Sequence, residues 1–507
     1  MSANTTPVVP RYYLVPFILV TSLFALWGFA NDVTNPLVAV FKDVFVISNT
    51  QSTWVQMAFY GGYATMALPA AIFIRRYSYK SGILVGLALY AIGALLSIPA
   101  AAAANFNLFI IALYVLTFGL AFLETTANPY ILAMGDPETA TRRLNLAQAF
   151  NPIGSLVGMV IASSVILSTI QVEDFKNDVN GYRNEFSPAG NKAVQHDILP
   201  FLKTKGRERA NDPNIRDYVT NLPADAVDVT NQALVDYKAG KIASFQGLSH
   251  GEMQKRDLKI VSTPYMIMGF VIIGVMVIFL LTKMPGIGTG DTTHDVHFGR
   301  TVRRLTSNPR YVGGVIAQTF YVGAQIMCWT FIIQYAENEL GIDKATAQNH
   351  NILAMLVFLF SRFICTFFLK YVSPGRLLFV LSVCGFAFNI GAIHFEGMPG
   401  LYSLIAVSAC MSLMFPTIYG LALDGVGEDA KLGSAGLIFA IVGGAFMPRL
   451  QGMVLDMEGF MGTTATRGSF YLPASCFVVI AAYGLLCWNR RKTARSLADG
   501  VPPFSAS

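Results

Sequence analysis

NLFIIALYVLTFGLAFLETTANPYILAM, residues 107–134, decides the fold class. Coiled at 1.5 Å per residue, an apolar run of this length crosses the roughly 30 Å of a bilayer's hydrocarbon. Glu124 stands inside it, with Asn128 four residues on and so on the same helix face. A charge at membrane depth costs about 3 kcal/mol, so it persists where it has a partner or a task.

Runs of the same kind fill most of the chain, at 13–38, 52–75, 82–103, 107–134, 144–170, 262–283, 311–336, 346–370, 376–395, 400–423, 433–455 and 470–488. The expected fold is all-α and polytopic, with twelve transmembrane helices in two six-helix halves. Composition agrees: charged residues are 13% of the 507, about half the usual quarter, and hydrophobic residues are 54%. That excludes a disordered chain, a nucleic-acid-binding protein and an ordinary cytosolic enzyme. The net charge of +6 is too small and dispersed for a polyanion partner. All six cysteines lie in apolar runs without metal-ligand or CxxC spacing, so they read as small apolar fillers. MSANTTPVVPRYY lacks the charged n-region and cleavage site of a signal peptide, so the first run should stay as a membrane helix.

Basic residues in short loops set the orientation. Arg75, Arg76 and Lys80, Arg142 and Arg143, Arg300, Arg303, Arg304 and Arg310, Lys370 and Arg376, and Arg490, Arg491 and Lys492 share one side if both termini are cytoplasmic. An even number of spans requires that too. Both termini are therefore expected on the cytoplasmic side. The division expected is spans one to five in 1–172, a polar periplasmic insert at 173–260, span six at 261–283, a cytoplasmic linker at 284–310 and spans seven to twelve in 311–507. Within 173–259, 13 acidic and 13 basic residues gather, and 214–240 has the composition of short helices. The halves echo each other in LWGFAND (Trp27) and CWTFIIQ (Trp329), as in transporters built from repeats.

Polar residues inside the apolar runs mark the candidate site. Only two acidic residues lie deep in spans: Glu124 and Asp32. The plain alternative for each is hydrogen-bonded glue between helices. Span five reads NLAQAFNPIG, with Gln148 and Asn151 on one face and Pro152 breaking the next turn; span one offers Asn31, Asp32 and Asn35. Carboxylates and amides interleaved with Trp27, Phe150 and Tyr321 suit a sugar, whose hydroxyls need donors and acceptors and whose C–H face packs on aromatic rings. In the second half, Gln318, Trp329, Gln334 and Asn389 read slightly more as interhelical bonds than as ligand contacts; Gln325 reads as a contact. Arg362, near the end of its run, reads as a snorkelling or paired cation.

These stretches resemble the major facilitator superfamily and, within it, the fucose:proton symporter branch. The resemblance is carried by FALWGFANDVTNPL (24–37), AFYGGYATMALPAAIFIRRYSYKSGI (58–83), GLAFLETTANPY (119–130), RLNLAQAFNPIG (143–154), STPYMI (262–267), AQTFYVGAQIMCW (317–329) and MSLMFPTIYGLAL (411–423), across both halves. It implies a sugar carrier working by alternating access. Its substrate site would draw on Trp27, Asn31, Glu124, Asn128, Gln148 and Asn151, with Gln325 and Trp329 from the second half. Glu124 matches the family's span-four glutamate, which serves recognition and coupling. Relatives commonly place their span-one carboxylate at the position of Asn35 and an amide at that of Asp32; here the two are exchanged. Cation coupling is thus assigned to Asp32, Glu124 and Asn35, the cation being H⁺ or, through an ionised Asp32 among amide oxygens, Na⁺.

The expected function is cation-coupled import of an L-fucose-like monosaccharide. A glucose/galactose or N-acetylhexosamine carrier is the alternative. No cofactor or metal is expected, and the partners are a small sugar and the lipid bilayer, with a monomeric chain and no nucleic acid. An intramembrane enzyme would need a nucleophile–base or metal constellation, and the six histidines supply none. A sugar sensor would need a signalling domain, for which the termini are short.

Overall fold

The structure, a computed structural model, describes residues 7–34, 37–47, 51, 54–186, 209–222, 229–285, 298–340, 344–455 and 457–488. Among these, twelve helices are long and apolar enough to cross a membrane. Spans one to six are Arg11–Thr34, Trp54–Arg76, Tyr79–Ala102, Phe106–Ala133, Pro137–Ile166 and His250–Leu281. Spans seven to twelve are Pro309–Leu340, Ala347–Phe368, Pro374–His394, Met398–Leu423, Ala430–Leu455 and Ala465–Leu486. Polar side chains fix several starts: Ser78 accepts from Ser81 N at 3.1 Å, and Asn105 accepts from Leu108 N at 3.2 Å.

Helix packing repeats with a shift of six. Span one packs on five as seven packs on eleven, two on four as eight on ten, three on four as nine on ten, and three on six as nine on twelve. Between the halves, two meets eleven and five meets eight. The second half thus repeats the helix packing of the first.

Spans one and five approach closely through glycines. A Cβ built on Gly28 would lie 2.1 Å from the Asn151 carbonyl oxygen, and one on Gly154 only 1.7 Å from that of Ala25. Small residues let helix backbones meet where lipid offers no hydrophobic drive between them.

Span six departs from the expected start near 261. It begins at His250, where Ser249 donates to Glu252 through its backbone N–H (2.8 Å) and its hydroxyl (2.7 Å). Its first turns, HGEMQKRDLKI, are polar and carry no apolar signal, so hydropathy cannot find them. They support the insert, whose described helices are Gln171–Phe186, Pro213–Thr220 and Val229–Lys238. Asp257 in span six accepts from the Gln171 and Val172 amides at 2.7 and 2.9 Å, fixing the start of the first. The insert also grips the C-terminal end of the short helix Leu37–Phe45 that follows span one. There Lys176 pairs with Asp43 at 2.6 Å, Lys238 donates to the Phe45 carbonyl at 2.9 Å, and Gln254 to that of Val44 at 3.0 Å.

On the opposite side, where the basic loops lie, the linker helix Phe298–Thr306 ties the halves together. Arg75 donates to the Thr301 hydroxyl at 3.2 Å, Thr301 donates to Asp429, and Arg304 pairs with Asp429 at 2.8 Å.

Candidate functional site

Span five is broken where its polar residues cluster. Helix Ala140–Gln148 stops and Asn151–Ile161 restarts, with Pro152 in the new first turn. The break turns Asn151 towards span one, held close by the glycines, and leaves Gln148 and Asn151 both on the cavity wall. Asn151 Nδ2 donates to the Phe24 carbonyl at 3.1 Å. Span ten is broken likewise, between Met411 and Met414. These interrupted helices border a cavity between the two halves.

Its wall carries, from the first half, Trp27, Asn31, Asp32, Tyr60, Tyr63, Glu124, Gln148 and Asn151. From the second it carries Tyr321, Gln325, Trp329, Phe358 and Arg362. Seven of the eight expected substrate residues therefore meet here, with Asp32 beside them. Asn35 lies outside the described residues. Trp27 donates from Nε1 to the Tyr63 hydroxyl at 2.6 Å, and Trp329 to the Ser408 hydroxyl at 3.1 Å. Both indoles are thereby held through their N–H edges. The amides of Asn31 and Gln325 donate and accept no hydrogen bond among the described residues, which leaves their polar heads for a ligand. Glu124 is 3% exposed, and its Oε2 has no hydrogen-bond partner among the described residues. Asp32 is 2% exposed.

Several expectations need correction. Asn128 is fully buried behind the wall and accepts from Gln148 Nε2 at 2.7 Å. It orients a cavity residue and does not line the cavity. Phe150, at the break, is 39% exposed and turned away from the cavity lining. Gln318 is fully buried, yet neither amide atom bonds across helices among the described residues. Arg362 does not snorkel: it is 3% exposed, stacks 4.6 Å over the Phe358 ring and donates to the backbone carbonyls of Gln148 (2.8 Å) and Ser412. Two carbonyls and a ring supply what solvent would have supplied at the helix end.

Tyr60 and Tyr63 were not singled out in the sequence. The signal was there in AFYGGYATM, where two hydroxyl-bearing rings three residues apart share a face beside a glycine pair.

The halves are joined beneath the cavity, on the basic-loop side. Asn145 Nδ2 donates to the Thr417 hydroxyl at 3.3 Å, the Ser434 hydroxyl to the Thr125 carbonyl at 3.3 Å, and Lys431 sits 5.0 Å from the Tyr79 ring.

Two packed repeats enclosing a polar cavity at their seam define a secondary transporter of the alternating-access kind. The Major Facilitator Superfamily family model matches residues 19–171. An L-fucose-proton symporter of Haemophilus influenzae is 48% identical over 485 residues, covering 95% of this chain and 98% of that protein. The L-fucose-proton symporter of Escherichia coli K12 is 31% identical, covering 93% of this chain and 92% of that one. The crystal structure of the transporter FucP in the outward conformation superposes with a TM-score of 0.71 at 30% identity, covering 94% of this chain and 99% of that one. The chain belongs to the major facilitator superfamily, in its fucose:proton symporter branch.

Proposed function

We propose that this protein imports a monosaccharide, L-fucose before other hexoses, together with a proton by alternating access. The observation that carries the proposal is Glu124: a buried carboxylate on the cavity wall, one oxygen of which meets neither solvent nor, among the described residues, a donor. Ionised, it only accepts; protonated, it also donates one hydrogen bond. A proton or a sugar hydroxyl is what completes it, so loading of one changes affinity for the other, and that linkage is reciprocal. Asn31, Gln148 and Gln325 provide amide donors and acceptors for the remaining hydroxyls. Trp27 and Trp329, one from each half, provide apolar faces for the ring's C–H groups. The sugar leaves chemically unchanged. The basic-loop side faces the cytoplasm of a bacterial inner membrane, both chain ends lie there, and the insert faces the periplasm.

The test is uptake into proteoliposomes of labelled L-fucose, D-glucose, D-galactose and N-acetylglucosamine under imposed H⁺ or Na⁺ gradients. L-Fucose should accumulate with an inward proton gradient and cease when a protonophore collapses it. Uptake requiring Na⁺ at fixed pH would replace the proton with sodium. Accumulation of no sugar under either gradient would refute symport.

A further inference from the structure

Arg362 is buried at membrane depth and forms no ion pair among the described residues, so the carbonyls it bonds must explain it. Both have lost their own donors. In a regular helix the Gln148 carbonyl accepts from the amide of residue 152, and the Ser412 carbonyl from that of residue 416. Both positions are proline, Pro152 and Pro416, and proline has no N–H. One guanidinium therefore supplies the donors missing from two broken helices. Span ten, with Ser412, lies in the same half as Arg362; span five, with Gln148, lies in the other. The bond to Ser412 fixes the guanidinium, and the 2.8 Å bond to Gln148 crosses the seam beneath the cavity. Gln148 presents its side chain to that cavity at the same time.

We propose that Arg362 is a latch, a positioning residue that holds the halves closed on the basic-loop side. Separation of spans five and eight there breaks the Arg362–Gln148 bond, and water entering the opened path takes over the freed carbonyl. Closing again expels that water. The latch rests on the alternating-access reading, but it is read by distances and not by uptake, so a failure of sugar transport alone leaves it standing.

The experiment places spectroscopic labels, by unnatural amino acids, at exposed Tyr77 and Tyr371, at the basic-loop ends of spans two and eight, and measures the distribution of their separation. A hydrogen bond from a charged donor is worth a factor of ten or more in an equilibrium. Arg362→Met should raise the population of separated molecules at least tenfold, and Arg362→Lys, with one small ammonium for two carbonyls, by less. Pro152→Ala restores an amide that competes for Gln148, so it too should raise the separated population with Arg362 intact, which keeps the test available if Arg362→Met does not fold. In the Pro152→Ala background Arg362→Met should add little, whereas in a Pro99→Ala background its effect should be undiminished. An unchanged distribution in both Arg362→Met and Pro152→Ala, or full additivity with Pro152→Ala, overturns the proposal.

Discussion

Gly154→Ala adds one methyl group at the tightest approach in the first half. The new Cβ would lie 1.7 Å from the Ala25 carbonyl oxygen, whereas ordinary contact begins near 3.4 Å. Backbone cannot rotate away as a side chain tip can, so spans one and five must part by about 1.7 Å, the difference of those distances. The 3.1 Å Asn151–Phe24 bond then exceeds hydrogen-bond range. Overpacking of this kind costs about 1–3 kcal/mol and the lost bond about 1 more. Gln148 and Asn151 withdraw from Trp27 and Asn31 by the same distance, so a sugar spanning them loses one pairing or more, about tenfold in affinity. Equilibrium binding of labelled L-fucose and thermal unfolding of the purified protein measure the two effects. Gly274→Ala is the control: a Cβ there meets nothing within 4 Å, and alanine favours a helix by about 0.5–1 kcal/mol. Wild-type melting and affinity in Gly154→Ala would show that the close approach does not set the site.

Glu124→Gln keeps size and hydrogen bonding but cannot ionise; it should exchange sugar in counterflow yet lose the roughly tenfold accumulation per pH unit that one-proton coupling allows. Wild-type accumulation would reduce Glu124 to a packing role. Asp32→Asn should abolish gradient-driven uptake while sparing counterflow, and adding Asn35→Asp should restore part of it; normal uptake in Asp32→Asn alone would leave coupling to Glu124. In the insert, hydrogen bonds from Lys241 and Tyr218 hold Asp236 below its ordinary 3.8. A depressed carboxylate stabilises above its unfolded value and loses that contribution as pH falls through the folded one. Protection factors for hydrogen exchange across 229–238, taken relative to the intrinsic rate, should therefore fall below about pH 4 in the wild type, and at pH 7 in Asp236→Asn; equal protection in both at pH 7 would discard the pairing.

Spans were legible because hydrocarbon thickness imposes a length that the chain cannot hide. The same rule concealed the polar start of span six at Ser249 and Glu252, which lies beyond the hydrocarbon. Glu124, Asp32, Gln148 and Asn151 were legible because polarity at membrane depth is costly and so informative. Arg362 was misjudged for a specific reason. Its partners are backbone carbonyls freed by Pro152 and Pro416, and only pairing each proline with the residue four before it, in two separate helices, would have pointed there. Asn128 was placed one layer too far forward, since helical spacing gives a face but not whether a neighbour stands between that face and the cavity. Gln318 shows the limit of the glue argument: its fully buried amide bonds to no other helix among the described residues.

The grip of the insert on the helix after span one has a consequence for biosynthesis. The carbonyl of Val44 waits for Gln254, 210 residues later, and that of Phe45 for Lys238, 193 residues later. At about 5–20 residues per second, a ribosome needs roughly 10–40 s to deliver them. Through that interval the short helix after span one has unfinished hydrogen bonds at its C-terminal end. The first half is thus sealed from its last helix backwards, and a chain truncated before residue 254 should leave span one in the membrane but helix Leu37–Phe45 open to protease.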